Sequence, residues 1–174
     1  FDKNTIKYDS LLVTCIGNNG GLWSVNVDEK STKKILSGDY RGIVKAPEYY
    51  LIVDENFGII KVSFDFKIIN KFRLQNTPSL HGIALDVENK LLFINETNFD
   101  KVGIYEMESL KRINEISFSK TENKRELHHI NDVAFFNDKI YLSMFSLNGV
   151  WRDEIWNDGA IVSFDLKKNK IDKV

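Results

Sequence analysis

Three short motifs hold the residues best suited to chemistry: Arg41 in "RGIV", His81 in "HGIA" and Asn131 in "INDVA". Each stands one residue ahead of a glycine or an aspartate (Asp132 in the third case) at the head of a short apolar run. A guanidinium, an imidazole and a carboxamide aimed at one point would hold a carboxylate, a sugar or a lactone carbonyl. For each residue a plainer reading stays open. Arg41 pairs with an acidic loop residue, His81 is a hydrogen-bonded structural histidine, and Asn131 and Asp132 cap a strand through Asx turns.

His128 and His129 sit on the segment that leads into the third motif. Neighbouring residues on a strand point to opposite sides, so the two cannot readily serve one metal ion. The expected place for them is a solvated loop near the same mouth, with His129 no better placed than His128. Trp151, Arg152 and Trp156 fall in the hairpin "LNGVWRDEIWNDG" (147–159), which reads either as a binding lid or as a loop covering sheet edges.

Other chemistry is sparse. "GNNGG" (17–21) lacks a following helix or a Lys-Ser/Thr pair and reads as a hairpin turn rather than a phosphate loop. No Cys/His spacing fits structural zinc, and no strained nucleophile turn marks a serine. "NET" (95–97) matches a glycosylation sequon, but at the end of an apolar run. The single cysteine, Cys15, rules out an intramolecular disulfide and is expected to be buried and inert.

The elements that must position these residues repeat along the chain. Second strands read "LLVTCIG" (11–17), "YYLIVDEN" (49–56), "KLLFINET" (90–97) and "KIYLSMFS" (139–146). Third strands follow as "GLWSVNVD", "GIIKVSFD", "KVGIYEME" and "GAIVSFDL", with Asn- and Gly-rich turns between. A basic fourth strand closes each unit, as suits an outer edge that must discourage foreign pairing. First strands are "RGIVKA" (41–46), "HGIALD" (81–86) and "INDVAFF" (130–136); the opening unit lacks a clear one, "NTIKYD" being a poor candidate. No long helical period appears, and "SKTENKRELHHI" (119–130) reads as a loop insertion.

Four-stranded antiparallel units recurring in this way describe β-propeller blades. The expected fold is all-β, with four blades at roughly 1–38, 39–76, 77–118 and 127–174, forming part of a larger, six-bladed ring. In a propeller the inner strands line the central channel. Arg41, His81 and Asn131 should therefore ring one mouth, with Asp132, His128, Trp151 and Arg152 nearby. Trp23, Phe64 and Phe164 are expected in the packing between blades.

With 174 residues, 43% hydrophobic, the chain can bury a core. Its 24 basic and 25 acidic side chains are spread evenly, with no footprint for nucleic acid or an anionic membrane. Apolar runs are far too short for a membrane span. The chain starts at Phe1 rather than Met, so a trimmed start is expected, and the lone cysteine fits a cytoplasmic location.

"HGIALDVENKLLFINE" and "INDVAFFNDKIYLSMF" resemble the propellers grouped around senescence marker protein, gluconolactonase and NHL repeats. The nearer resemblance is to an uncharacterised bacterial propeller family, a domain of unknown function, carried by "GGLWSVNVD", "RGI", "HGIAL", "INDVAF", "YLSMF" and a Trp-Arg insertion before "GAIVSFDL". In the gluconolactonase-like enzymes a calcium-like divalent cation sits in the channel on a glutamate, asparagines and an aspartate. That resemblance implies Asn131 as one ligand, with His81 standing where another asparagine is expected. The imidazole shifts preference toward transition metals or ends metal binding. The leading functional expectation is a non-catalytic module that binds a small molecule or protein at the channel mouth. The alternatives are a metal-dependent hydrolase of the lactonase type and a structural piece that assembles with further blades or another protomer.

Overall fold

The computed structural model describes residues 10–74, 79–118, 126–152 and 158–174. The insertion at 119–125, the candidate strand "NTIKYD" and Trp156 lie outside them. The described residues form four antiparallel sheets of a β-propeller, each following the next in chain order. The first holds β1 (Leu11–Cys15), β2 (Gly21–Asn26) and β3 (Ser31–Ser37). The second holds β4 (Tyr40–Lys45), β5 (Tyr50–Asp54), β6 (Gly58–Val62) and β7 (Ile68–Arg73). The third holds β8 (Leu80–Asp86), β9 (Leu91–Glu96), β10 (Lys101–Glu106) and β11 (Arg112–Ser117). The fourth holds β12 (Ile130–Phe136), β13 (Lys139–Met144), β14 (Ala160–Asp165) and β15 (Lys170–Lys173).

Alternation puts one apolar set on each face of every sheet, and three clusters fill the spaces between successive sheets. Leu22, Tyr40, Ile52 and Ile60 join the first two. Leu51, Val53, Ile83, Leu92 and Ile94 join the second and third. Ala84, Phe93, Val102, Val133 and Ile140 join the third and fourth. Full burial of each large side chain contributes about 1.5–3 kcal/mol. The outer strands are mostly exposed, as their basic character suggested.

Local turn chemistry sets the hairpins. Asn137 and Asp138 link β12 to β13 with φ of 50° and 60°, the pair of left-handed residues that a tight two-residue turn demands. Between β4 and β5 stands a longer connection containing Pro47, closed by Ala46 N–H donating to the Tyr49 carbonyl at 2.8 Å.

Phe64 corrects one packing expectation. Phe64 is 43% exposed, whereas Phe164 is 7% exposed in the core. Both lie in the letters "VSFD", but Tyr50 pairs with Val62 and its counterpart Ile140 pairs with Phe164. The structural equivalent of Phe164 is thus Val62, and Phe64 falls beyond the strand, edge-on to Tyr50 at 5.2 Å. Trp23 is half-buried on the free face of the first sheet, under Lys34. Cys15 is likewise half-buried.

Candidate functional site

The inner strands β4, β8 and β12 each break register at the residue singled out by sequence. The ladder skips Arg41 between Tyr40 and Gly42, His81 and Gly82 between Leu80 and Ile83, and Asn131 between Ile130 and Asp132. Such bulges leave a residue unpaired and re-aim its side chain. Here they turn three equivalent side chains toward one cavity of about 460 Å³, lined by Arg41, His81, Asn131, Asp132 and, two residues beyond each bulge, Ile43, Ile83 and Val133.

Glycines let the strands converge. A Cβ on Gly42 would meet the His81 carbonyl oxygen at 2.9 Å, and one on Gly82 would meet Val133 N at 2.7 Å and Asp132 Cα at 2.8 Å. Each Cβ would also meet a side chain, Asp132 Oδ1 at Gly82 and Ile83 Cγ2 at Gly42, but the backbone atoms among these contacts cannot swing aside.

A polar chain crosses the three sheets. Arg41 donates through Nε to Glu55 Oε2 and through Nη2 to Glu55 Oε1, each at 3.0 Å, a forked pair. Ser79 Oγ lies 3.2 Å from Glu55 Oε1 and 3.2 Å from His81 Nε2. His81 Nδ1 faces Asn131 Oδ1 at 3.1 Å. With an amide oxygen opposite Nδ1, that nitrogen carries the proton, and Nε2 of the neutral ring competes with Glu55 Oε1 for the single Ser79 hydroxyl hydrogen. Burial pushes the His81 pKa below its ordinary value; Arg41 and His129 add to this, opposed by the Asn131 bond and Glu55.

His129 corrects an expectation. It abuts the site without lining the cavity, its ring edge-on to His81 at 5.4 Å and packed on Phe145 and Trp151 at 4.7 and 4.4 Å. Its Nδ1 bonds Glu126, a buried carboxylate that also pairs with Arg152 Nη2 at 2.7 Å. Arg152 in turn lies over the Trp151 ring. His128 turns elsewhere, its Nδ1 3.0 Å from the Ser146 carbonyl oxygen, and does not line the cavity. Neither histidine is a freely solvated loop residue: both are half-buried. Trp151 and Arg152 form a shoulder behind His129 rather than a wall of the cavity.

The loop that carries the histidine pair is pinned by a residue the sequence did not flag. Asp100 is fully buried and accepts backbone N–H bonds from Leu127 at 2.6 Å, His128 at 3.1 Å and His129 at 3.1 Å. It follows a 3-10 turn, Thr97–Phe99, and Thr97 Oγ1 donates to the Ile130 carbonyl at 2.7 Å. Glu55 and Thr97, the residues that follow β5 and β9, occupy equivalent places, and each reaches the inner-strand region of the next sheet. That shared position was the available signal.

The family resemblance implies a divalent-cation site at Asn131 and His81. Asn131 Oδ1 and both His81 nitrogens are engaged with one another and with Ser79, and no group of three or more His, Cys, Asp or Glu is placed to hold a metal among the described residues. The sequon asparagine, Asn95, is fully buried, which removes it as a glycan acceptor in the folded chain.

No protein-family model and no curated protein matches the chain. Its backbone is similar to solved propeller structures. It matches a structure titled as a nidogen/laminin complex with TM-score 0.66 at 13% identity, covering 94% of this chain and 60% of that one. Sqt1 of Saccharomyces cerevisiae matches with TM-score 0.59 at 10% identity, over 94% and 44% of the two chains. The Dos1 propeller matches with TM-score 0.59 at 10% identity, over 95% and 46%. The chain thus spans about half the length of such structures, and the likeness defines its class as an arc of a β-propeller.

Proposed function

We propose that this chain is the ligand-binding arc of a propeller interaction module, taking a small molecule or a protein segment at the mouth of the central channel. The observation that carries the reading is the convergence of three bulged, repeat-equivalent side chains, Arg41, His81 and Asn131, on one cavity of about 460 Å³. Side chains bonded into a continuous chain hold that cavity's shape before a ligand arrives, which lowers the ordering cost of binding. His129, Trp151 and Arg152 buttress the same side of the mouth.

The free faces support membership of a larger ring. On the fourth sheet Phe136 and Ile161 are 63% and 68% exposed, and on the first Leu11 and Val13 are 42% and 37% exposed. Ile161 is the ladder equivalent of Val102, which is buried between the third and fourth sheets. Further blades, or another protomer, would cover these faces.

The test is a thermal-shift screen of small molecules and short peptides against the wild-type chain, Asn131→Ala and a distant control, Lys33→Ala. Hits should stabilise the wild type and Lys33→Ala but not Asn131→Ala. Hits that stabilise all three equally would place binding elsewhere.

A further inference from the structure

The charges around the cavity do not add up to an anion site. Arg41 is the one cation among the described lining residues, and two arms of its guanidinium are held by the Glu55 carboxylate. His81 and Asn131 are bonded to each other, and burial favours the neutral imidazole. One lining charge is left without a partner of opposite sign. Asp132 is exposed, forms no ion pair among the described residues, and its Oδ1 accepts only the adjacent Val133 N–H, at 2.8 Å.

The repeat makes that carboxylate conspicuous. Asp132 occupies the place held by Gly42 and Gly82 in the preceding inner strands, where a Cβ would collide with the next strand's backbone. Where those two positions contribute no side chain, this one sets a carboxylate on the cavity rim. Beside it, Ile43, Ile83 and Val133 border the cavity, with their side chains packed into the clusters between the sheets.

Resting on the channel-mouth reading above, we propose that the group recognised there is an organic cation. A primary ammonium seats against the Asp132 carboxylate on the cavity rim. An anionic ligand meets a guanidinium already neutralised by Glu55 and an unpaired carboxylate beside it. An ion pair with Asp132 favours the cation and repels the matched anion, so a preference of about tenfold or more is expected.

The experiment is calorimetric titration of the chain with three matched probes, pentylammonium, pentanol and pentanoate, and with calcium chloride alone. Pentylammonium should bind at least about tenfold more tightly than pentanoate. Asp132→Asn, an exposed near-isosteric change whose unaltered urea midpoint confirms folding, should remove that advantage and leave pentanol unaffected, while Asp132→Glu should retain much of it. Tighter binding of pentanoate, lost in Asn131→Ala, would overturn the cation assignment while leaving the site reading intact. A calcium response that disappears in Asp132→Asn, with none to pentylammonium, would also overturn it. Failure of every probe, together with failure of the thermal-shift screen, would overturn both readings.

Discussion

Asp100 offers the sharpest test of how the site is held. Its carboxylate is fully buried and gathers the N–H groups of Leu127, His128 and His129. Hydrogen bonds to a charged acceptor are worth roughly 1.5–3 kcal/mol each, and water reaching the half-buried loop recovers part of that. Loss of all three should therefore cost about 3 kcal/mol. Asp100 also has φ of 49°, where alanine pays a further 1–2 kcal/mol or so that asparagine largely avoids. Asp100→Ala should lose about 4–5 kcal/mol. Asp100→Asn, which keeps one acceptor oxygen and tolerates the conformation, should lose about 1–2 kcal/mol. Urea denaturation gives the totals, and hydrogen exchange should show the amides of 127–129 losing protection ahead of those in β13. A loss under about 0.5 kcal/mol in Asp100→Ala, or unchanged protection at 127–129, would refute the view that this carboxylate fixes the loop.

Three other outcomes follow from the same geometry. Gly82→Ala should cost about 1–3 kcal/mol in urea denaturation, because the new Cβ meets the backbone of Asp132 and Val133. Asn95→Val should raise the denaturation midpoint: both polar atoms of that side chain are buried without a partner among the described residues, and the equivalent Val53 packs in the core. Removing such orphans gains about 1–3 kcal/mol. For His81 the folded pKa lies below the ordinary 6.5, so the unfolded chain binds the extra proton first. Stability contributed by the neutral ring is present above 6.5 and is lost as pH falls toward the folded value. Comparing wild type with His81→Gln across pH 5–8 should show a steeper acid loss in the wild type, His128 and His129 being common to both.

Much of the fold could be read from the sequence because strand alternation and turn residues are local signals. "LLVTC", "GIIKV" and "KVGIYE" emerge as strands almost as quoted, and the inner-strand motifs place Arg41, His81 and Asn131 at equivalent positions. What escaped depends on partners. Glu55 and Ser79 enter the site from separate segments, and Asp100 acts on a loop of the next sheet. The bulges that aim the site residues exist only in relation to the neighbouring strand, and no single run of letters records them. Phe64 and Phe164 show the same limit: identical letters, "VSFD", lie two positions apart in the ladder, with Val62 paired where Phe164 is in the other sheet.

The chain contains only three histidines, which makes its imidazole NMR signals easy to assign with single His→Gln variants. Titrating pentylammonium while following those signals tests the central claim that the ligand sits where the inner strands converge. The account predicts a saturable shift of His81, a smaller one of the adjacent His129, and none of His128, which is tied to the Ser146 carbonyl away from the cavity. A shift confined to His128, or His81 unmoved at saturating probe, would contradict it.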